Sequence, residues 1–220
     1  EKNTVGQNTA VGAYAAQNNT IGVGFTAIGY KALNLLESGN DNTAVGDLAM
    51  SEATGYQYNN TALGWGALKV NEGSDNTALG NASLFSNTTG SNNVATGSSA
   101  LQENTTGSYN VATGAYALFD NTEGIANSAS GYLALAYNTT GDNNVANGYA
   151  ALYNNQTGND NVATGTNALY SNQTGERNIA IGTKSLYNNL LDDNITIGHY
   201  CMNDVTGGEK LIGLGNNISV

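Results

Sequence analysis

Twelve times along the chain a phrase patterned on Asn-x-Ala-x-Gly, departing from it at one position in two cases, ends on a glycine: Gly12, Gly29, Gly46, Gly64, Gly80, Gly97, Gly114, Gly131, Gly148, Gly165, Gly182 and Gly198. The spacings are 17 residues except for one of 18 and two of 16, and a degenerate successor stands at Gly215. Four residues before the glycine, eleven of the twelve repeats carry Asn, with Phe25 the exception. Two residues before it eleven carry Ala, and Thr196 completes the set. Four residues after it nine carry Leu, from Leu33 to Leu186, and Met50, Met202 and Ala16 hold the slot in the others. A fixed short period of this kind belongs to architectures in which each repeat is one structural unit stacked on the next.

Composition leaves no alternative to stacking except disorder. Leu, Ile, Val and Phe together number 42 of 220 residues, about 19%, whereas 36 Asn and 29 Gly make up nearly a third. So little apolar bulk cannot fill one large globular core. No window shows a 3.6-residue apolar period, and the recurrent glycines would break a helix. Each unit therefore reads as strand, short turn, strand, longer turn. Asn-Thr-Ala-Val-Gly is the first strand, Ala-Leu-Tyr the second, and Asn-Thr-Thr-Gly closes the coil with residues that tolerate left-handed backbone or bond their own main chain. The predicted fold is all-β: a parallel β-roll, or β-solenoid, of about 12 coils of 17 residues, with two short strands per coil. Residues 1–198 form the repeat domain, and residues 199–220 an irregular C-terminal coil, cap or junction.

Alternation along the first strand separates two faces. The residues three and one before the glycine compensate in size: Thr43 goes with Val45 and Thr61 with Leu63, while Val94 goes with Thr96 and Val162 with Thr164. Constant pair volume suits a packed interior, so this face and the Leu row are expected inside. The opposite face carries Ala, such as Ala44, Ala78 and Ala112. It is expected to be a smooth outer wall against which other chains pack.

Two Asn rows sit at the corners. Asn42, Asn60, Asn76, Asn93 and Asn110 belong to the first, and Asn87, Asn104, Asn121, Asn138, Asn155, Asn172 and Asn189 to the second. Stacking brings each row into register, so the amides can bond from coil to coil as ladders. The Asn-x-Thr sequons at Asn87, Asn104, Asn138, Asn155 and Asn172 read as by-products of the turn. Asp41, Asp75, Asp160 and Asp193 recur before the first row but miss the spacing of a calcium loop.

Charge narrows the partners. Six Lys and Arg against seventeen Asp and Glu leave no basic stripe for phosphates, which excludes nucleic acid. Apolar runs are far shorter than the roughly 20 residues of a membrane helix, so no membrane insertion is expected. A single cysteine forms no internal disulfide framework. The chain opens within a repeat-like phrase and reads as a piece of a longer protein.

Asn-Thr-Ala-Val-Gly followed by a small residue and Leu resembles the head repeats of YadA-like trimeric autotransporter adhesins, and the Asn-Thr-Thr-Gly turns resemble those of phage tail fibres. The resemblance spans approximately residues 3–198, with a period longer than that of the adhesin heads. It implies a left-handed β-roll whose three copies wind together. It also implies an adhesive role at a cell surface, outside the cell, or on a virion tail. Under it the apolar pair (Val11, Ile28, Val45, Ile181, Ile197) would fill the roll, and Ala44, Ala78 and Ala112 would face the trimer.

Candidate binding residues are aromatic. Tyr153, Tyr170 and Tyr187 share one slot in successive coils, and Phe85 and Phe119 hold it earlier. A second row follows the glycine directly: Tyr30, Trp65, Tyr132, Tyr149 and His199, with Tyr200 beside it. Exposed rings stack on sugars, whereas half-buried Tyr rows seal a coil edge or a subunit seam. His199, the only imidazole, lies two residues from Cys201 and near Asp204, but Cys201 holds the slot that is Ala or Ser in most coils and Met202 the slot that is normally Leu. No catalytic, cofactor or metal site is expected. The expected function is a non-enzymatic structural and adhesive segment of a homotrimeric fibre that contacts a cell-surface glycan or protein receptor. An ice-binding solenoid using the Thr row Thr9, Thr26, Thr43, Thr61 and Thr77, and a secreted amyloid-like subunit, are the alternatives.

Overall fold

The computed structural model describes residues 6–205 and 210–219. Among them there is no helix, and parallel strands about 17 residues apart form a β-solenoid of about 12 turns. The chain divides into two compact units, Glu1–Tyr109 and Asn110–Val220. Unit one contains β1 (Thr9–Val11), β2 (Thr26–Ile28), β3 (Ser38–Asn40), β4 (Thr43–Val45), β5 (Tyr56–Tyr58), β6 (Thr61–Leu63), β7 (Thr77–Leu79) and β8 (Val94–Thr96). Unit two contains β9 (Val111–Thr113), β10 (Ser128–Ser130), β11 (Val145–Asn147), β12 (Val162–Thr164), β13 (Ile179–Ile181), β14 (Asn188–Asn189), β15 (Ile195–Ile197), β16 (Asp204–Val205) and β17 (Ile212–Leu214).

In the first unit β1, β2, β4, β6, β7 and β8 stack in that order, and in the second β9 to β13 are followed by β15 and β17. Pairing is parallel and the register never slips: Ala27 lies against Ala44, Ala44 against Ala62, and Ala146 against Ala163. Insertions and deletions therefore fall in the turns. The stack continues into the segment expected to be irregular, since Ile212–Leu214 pairs in step with Ile195–Ile197. Residues 206–209 and 220 of that segment lie outside the described residues.

Each coil holds one strand of the main stack, not two. The Ala-Leu-Tyr run is a sequence of turns in which alternate residues take left-handed backbone: Lys31 and Leu33, Tyr116 and Leu118, Asn167 and Leu169. Leu135, for example, sits at φ 54° with no exposed surface. Left-handed backbone costs an L-residue roughly 1–2 kcal/mol. Burying a Leu side chain returns about 1.5–3 kcal/mol. Leu118 N–H also donates to Ala134 O at 3.0 Å in the next coil. At the repeat glycine no side chain is possible: Gly46 has φ 135°, and a Cβ there would lie 2.4 Å from Gly64 O.

The two strand faces are the reverse of those expected. The alanines lie inside, from Ala27 to Ala180 with at most about 1% of their surface exposed, together with the Leu row and both Asn rows. The pair positions face outward, with Leu63 51% and Val111 42% exposed, and Val11, Ile28, Ile181 and Ile197 are exposed likewise. The reason is cross-section. A lap of 17 residues turned by left-handed corners leaves space beneath the strand for one methyl, and Leu fills what remains. Ala44, Ala78 and Ala112 are core residues and cannot meet a sister chain.

Both Asn ladders form. Asn161 Nδ2 donates to Asn144 Oδ1 at 3.1 Å and to Gly175 O at 2.8 Å, and Asn161 N–H donates to Asn144 Oδ1 at 3.0 Å. In the second row Asn155 Nδ2 donates to Asn138 Oδ1 at 2.8 Å and to Gly158 O at 2.9 Å. A buried amide is tolerable only when its donors and acceptor are matched, and here the identical neighbour matches them. The acids Asp41, Asp75, Asp160 and Asp193 all occupy left-handed corner positions, which explains their recurrence without a metal.

Candidate functional site

Two surfaces carry the side chains that the interior does not use. The first is the outward strand face. In unit one it presents a Thr column (Thr9, Thr26, Thr43, Thr61, Thr77) beside an aliphatic column (Val11, Ile28, Val45, Leu63, Leu79), paired strand by strand. In unit two the composition changes along the stack, from Ser128 and Ser130 on β10 to six aliphatic side chains on β13, β15 and β17. Ile212 and Leu214 are 68% and 65% exposed. No charged residue stands in either column. The face is uncharged and turns wholly aliphatic over β13, β15 and β17, and on a chain carrying net charge −11 that stretch is a surface that water does not favour.

The second surface is aromatic. Tyr132 and Tyr149 stack with ring centroids 5.7 Å apart, and Tyr153, Tyr170 and Tyr187 form a ladder at 5.0 Å with interplanar angles of 12° and 5°. Ladder rings therefore cover each other's faces and turn their edges and hydroxyls outward. Tyr137, which the slot pattern missed because it sits one position over, meets Tyr153 edge-on at 4.8 Å and accepts its hydroxyl proton at 3.2 Å. That bond, with added burial, pushes the Tyr153 phenol up to about 12. Burial also raises Tyr170.

Five predicted binding residues, Tyr132, Tyr149, Tyr153, Tyr170 and Tyr187, belong to this one surface of unit two, and four of them line a recess of about 280 Å³. The lining is completed by Leu133, Ala150 and Asn167. Trp65 is not among them: it stacks on Phe85 at 6.0 Å in unit one, where Lys69 Nζ lies 4.9 Å from the Phe85 ring centroid. His199 packs edge-on against Tyr200 at 4.4 Å, and Lys184 Nζ lies over both Tyr187 and Tyr200. His199 is exposed while Cys201 is buried, and that burial raises the thiol. Asp204 bonds to Asn188. Arg177 pairs with Asp193 at 2.6 Å and lowers its carboxyl.

The chain matches no protein-family model, no curated protein and no solved structure. Function must therefore be argued from these two surfaces.

Proposed function

We propose that the chain is a non-enzymatic structural and adhesive segment of a cell-surface or tail fibre, assembled as a homotrimer through its outward strand face. The observation that carries this is the in-register, uncharged outward face, above all its exposed aliphatic stretch Ile179, Ile181, Ile195, Ile197, Ile212 and Leu214. The role expected of the alanine wall passes to its opposite. The Thr–Val and Val–Thr exchanges retain their meaning, since constant pair volume matters as much between chains as within one. Each coil buries only one or two large apolar side chains and a few small groups, so burial between chains would add materially to stability. The lengthwise repetition suits a fibre, and the aromatic surface of unit two supplies a place for adhesion.

Light scattering on the purified chain tests this reading: the expected mass is that of three chains, and a single-chain mass overturns it. Ile181→Asp combined with Ile197→Asp should give single chains whose strand content by circular dichroism is unchanged. A second reading has one observation in its favour. The Thr column of unit one faces outward in a regular array, as an ice-binding face requires, and thermal hysteresis by the single chain would select it.

A further inference from the structure

We propose that the recess lined by Tyr149, Tyr153, Tyr170, Tyr187 and Asn167 is a binding site for a neutral pyranose-containing glycan. It deepens the adhesive part of the reading above by naming the site and the ligand class.

The recess is built by three rows of the solenoid. Leu133, Ala150 and Asn167 hold equivalent positions in successive coils and contribute one row of the lining. Tyr149 forms one wall and the Tyr153–Tyr170–Tyr187 ladder the other. At about 280 Å³ it holds a sugar unit or two, at the small end of the roughly 300–1,000 Å³ typical of ligand pockets.

Three features select the ligand. First, the ring faces differ. The ladder rings cover one another, but Tyr149 stacks on Tyr132 on one side only, because Thr166 replaces an aromatic residue in the next coil. Tyr149 is 54% exposed, so a flat C–H face can lie on its open side. Second, Asn167 Oδ1 is buried and accepts no hydrogen bond. A buried acceptor without a donor costs about 1–3 kcal/mol. Turned toward the recess, this carbonyl can accept a ligand hydroxyl. Third, no lining residue is charged. The backbone beside the ladder is also spent between coils, with Asn154 N–H on Tyr170 O and Ser171 N–H on Tyr187 O. An extended peptide would find no main-chain partner there. Hydroxyl groups, one apolar ring face and no charge describe a neutral sugar.

Saturation-transfer NMR on the full chain tests the assignment, using tetrasaccharides of glucose, galactose, mannose and N-acetylglucosamine at about 5 mM each, a concentration that detects millimolar affinity. At least one should bind through its ring C–H face. Tyr149→Ala should then weaken it about tenfold or more, and Asn167→Leu about fivefold, equivalent to roughly 1 kcal/mol. Leucine is tolerated at that backbone position, since Leu133 holds the equivalent one at φ 57°. Tyr56→Ala, in unit one, should leave binding unchanged. Failure of all four sugars to bind, or equal binding by Tyr149→Ala, overturns the site. Light scattering on the same samples keeps the two readings apart, because a trimer that binds no sugar refutes the recess and leaves the fibre standing.

Discussion

The corner ladder is interrupted in two places, and the two are handled differently. In unit one Leu36 and Ala53 stand in successive laps where the row calls for Asn, and the lap of Ala53 is one residue longer than the rest. The extra residue lets Gln57 turn inward, fully buried. Its Nε2 donates to Thr54 O at 2.6 Å and to Asn71 O, and its Oε1 accepts from Asn71 Nδ2 at 2.9 Å. The following lap is one residue shorter, and the ladder resumes with Asn87 donating to Asn71 at 2.6 Å. In unit two the lap ending at Gly198 lacks one residue and reads Asn-Leu-Leu-Asp where others read Asn-Thr-Thr-Gly. Asn189 bonds to Leu191 O, and Asn172 Oδ1 below it is left buried without a donor. Short strand pairs flank both places, β3 with β5 and β14 with β16. The insertion in unit one supplies a missing amide, and the deletion before Gly198 leaves an acceptor unmet.

The largest effect should come from removing a rung where the ladder is complete. Asn138 donates to Asn121 Oδ1 at 2.8 Å and Gly141 O at 2.9 Å, and accepts from Asn155 at 2.8 Å. Asn138→Leu forfeits all three and should cost about 3–5 kcal/mol. Asn172→Leu forfeits only the bonds to Asn155 and Gly175 and removes an unmet acceptor. It should cost less by about 1–3 kcal/mol. Urea titrations of the two variants give the ranking, and equal losses would erase the distinction between the intact rung and the terminal one.

Next in size is the repaired place itself. Gln57→Leu keeps the volume but removes both donors and the acceptor, for an expected loss of about 2–4 kcal/mol. Gln57→Glu keeps the shape and the acceptors, loses the donors and buries a carboxylate, so it should be at least as damaging near neutral pH and milder once the acid is protonated. If Gln57→Leu proved neutral under urea, the repair would be an accident of packing.

The parts that sequence made legible share one property: they depend on register alone. Period, parallel stacking and the Asn rows follow once the glycines are aligned, because identical residues a lap apart must meet. Which strand face is interior does not follow from register. Ala44 and the Thr43–Val45 pair alternate whichever way the strand is rotated, and the choice is made by the cross-section of the lap. That cross-section is set by left-handed backbone at residues such as Leu33, Tyr116 and Leu118. Leu and Tyr do not announce that conformation as Gly or Asn would. The recess was partly visible: the Tyr rows were apparent, but their joining through Ala150 and Asn167 required those same turns. Tyr137 was hidden by a shift of one position.

The smallest effect concerns the outer Tyr row, which crosses the terminal rung undisturbed: Tyr170 and Tyr187 stay stacked at 5.0 Å although Asn172 beside them lacks a donor. If the two rows are independent, a change in the phenols should be felt only in the phenols. Tyr153 donates to Tyr137, and its pKa is raised from 10.0 to about 12. A raised folded-state value means the protonated phenol is favoured by folding, so its contribution is present below pH 10 and fades as pH rises toward 12. Tyr137→Phe removes the acceptor, so the late phase in an alkaline absorbance titration should move down toward the ordinary tyrosine range. The urea midpoint at neutral pH should stay close to that of the parent chain, because a mostly solvated hydroxyl pair contributes little. An unchanged alkaline titration would remove the Tyr137 bond as the cause, and a large fall in stability at neutral pH would show that the outer row supports the inner ladder after all.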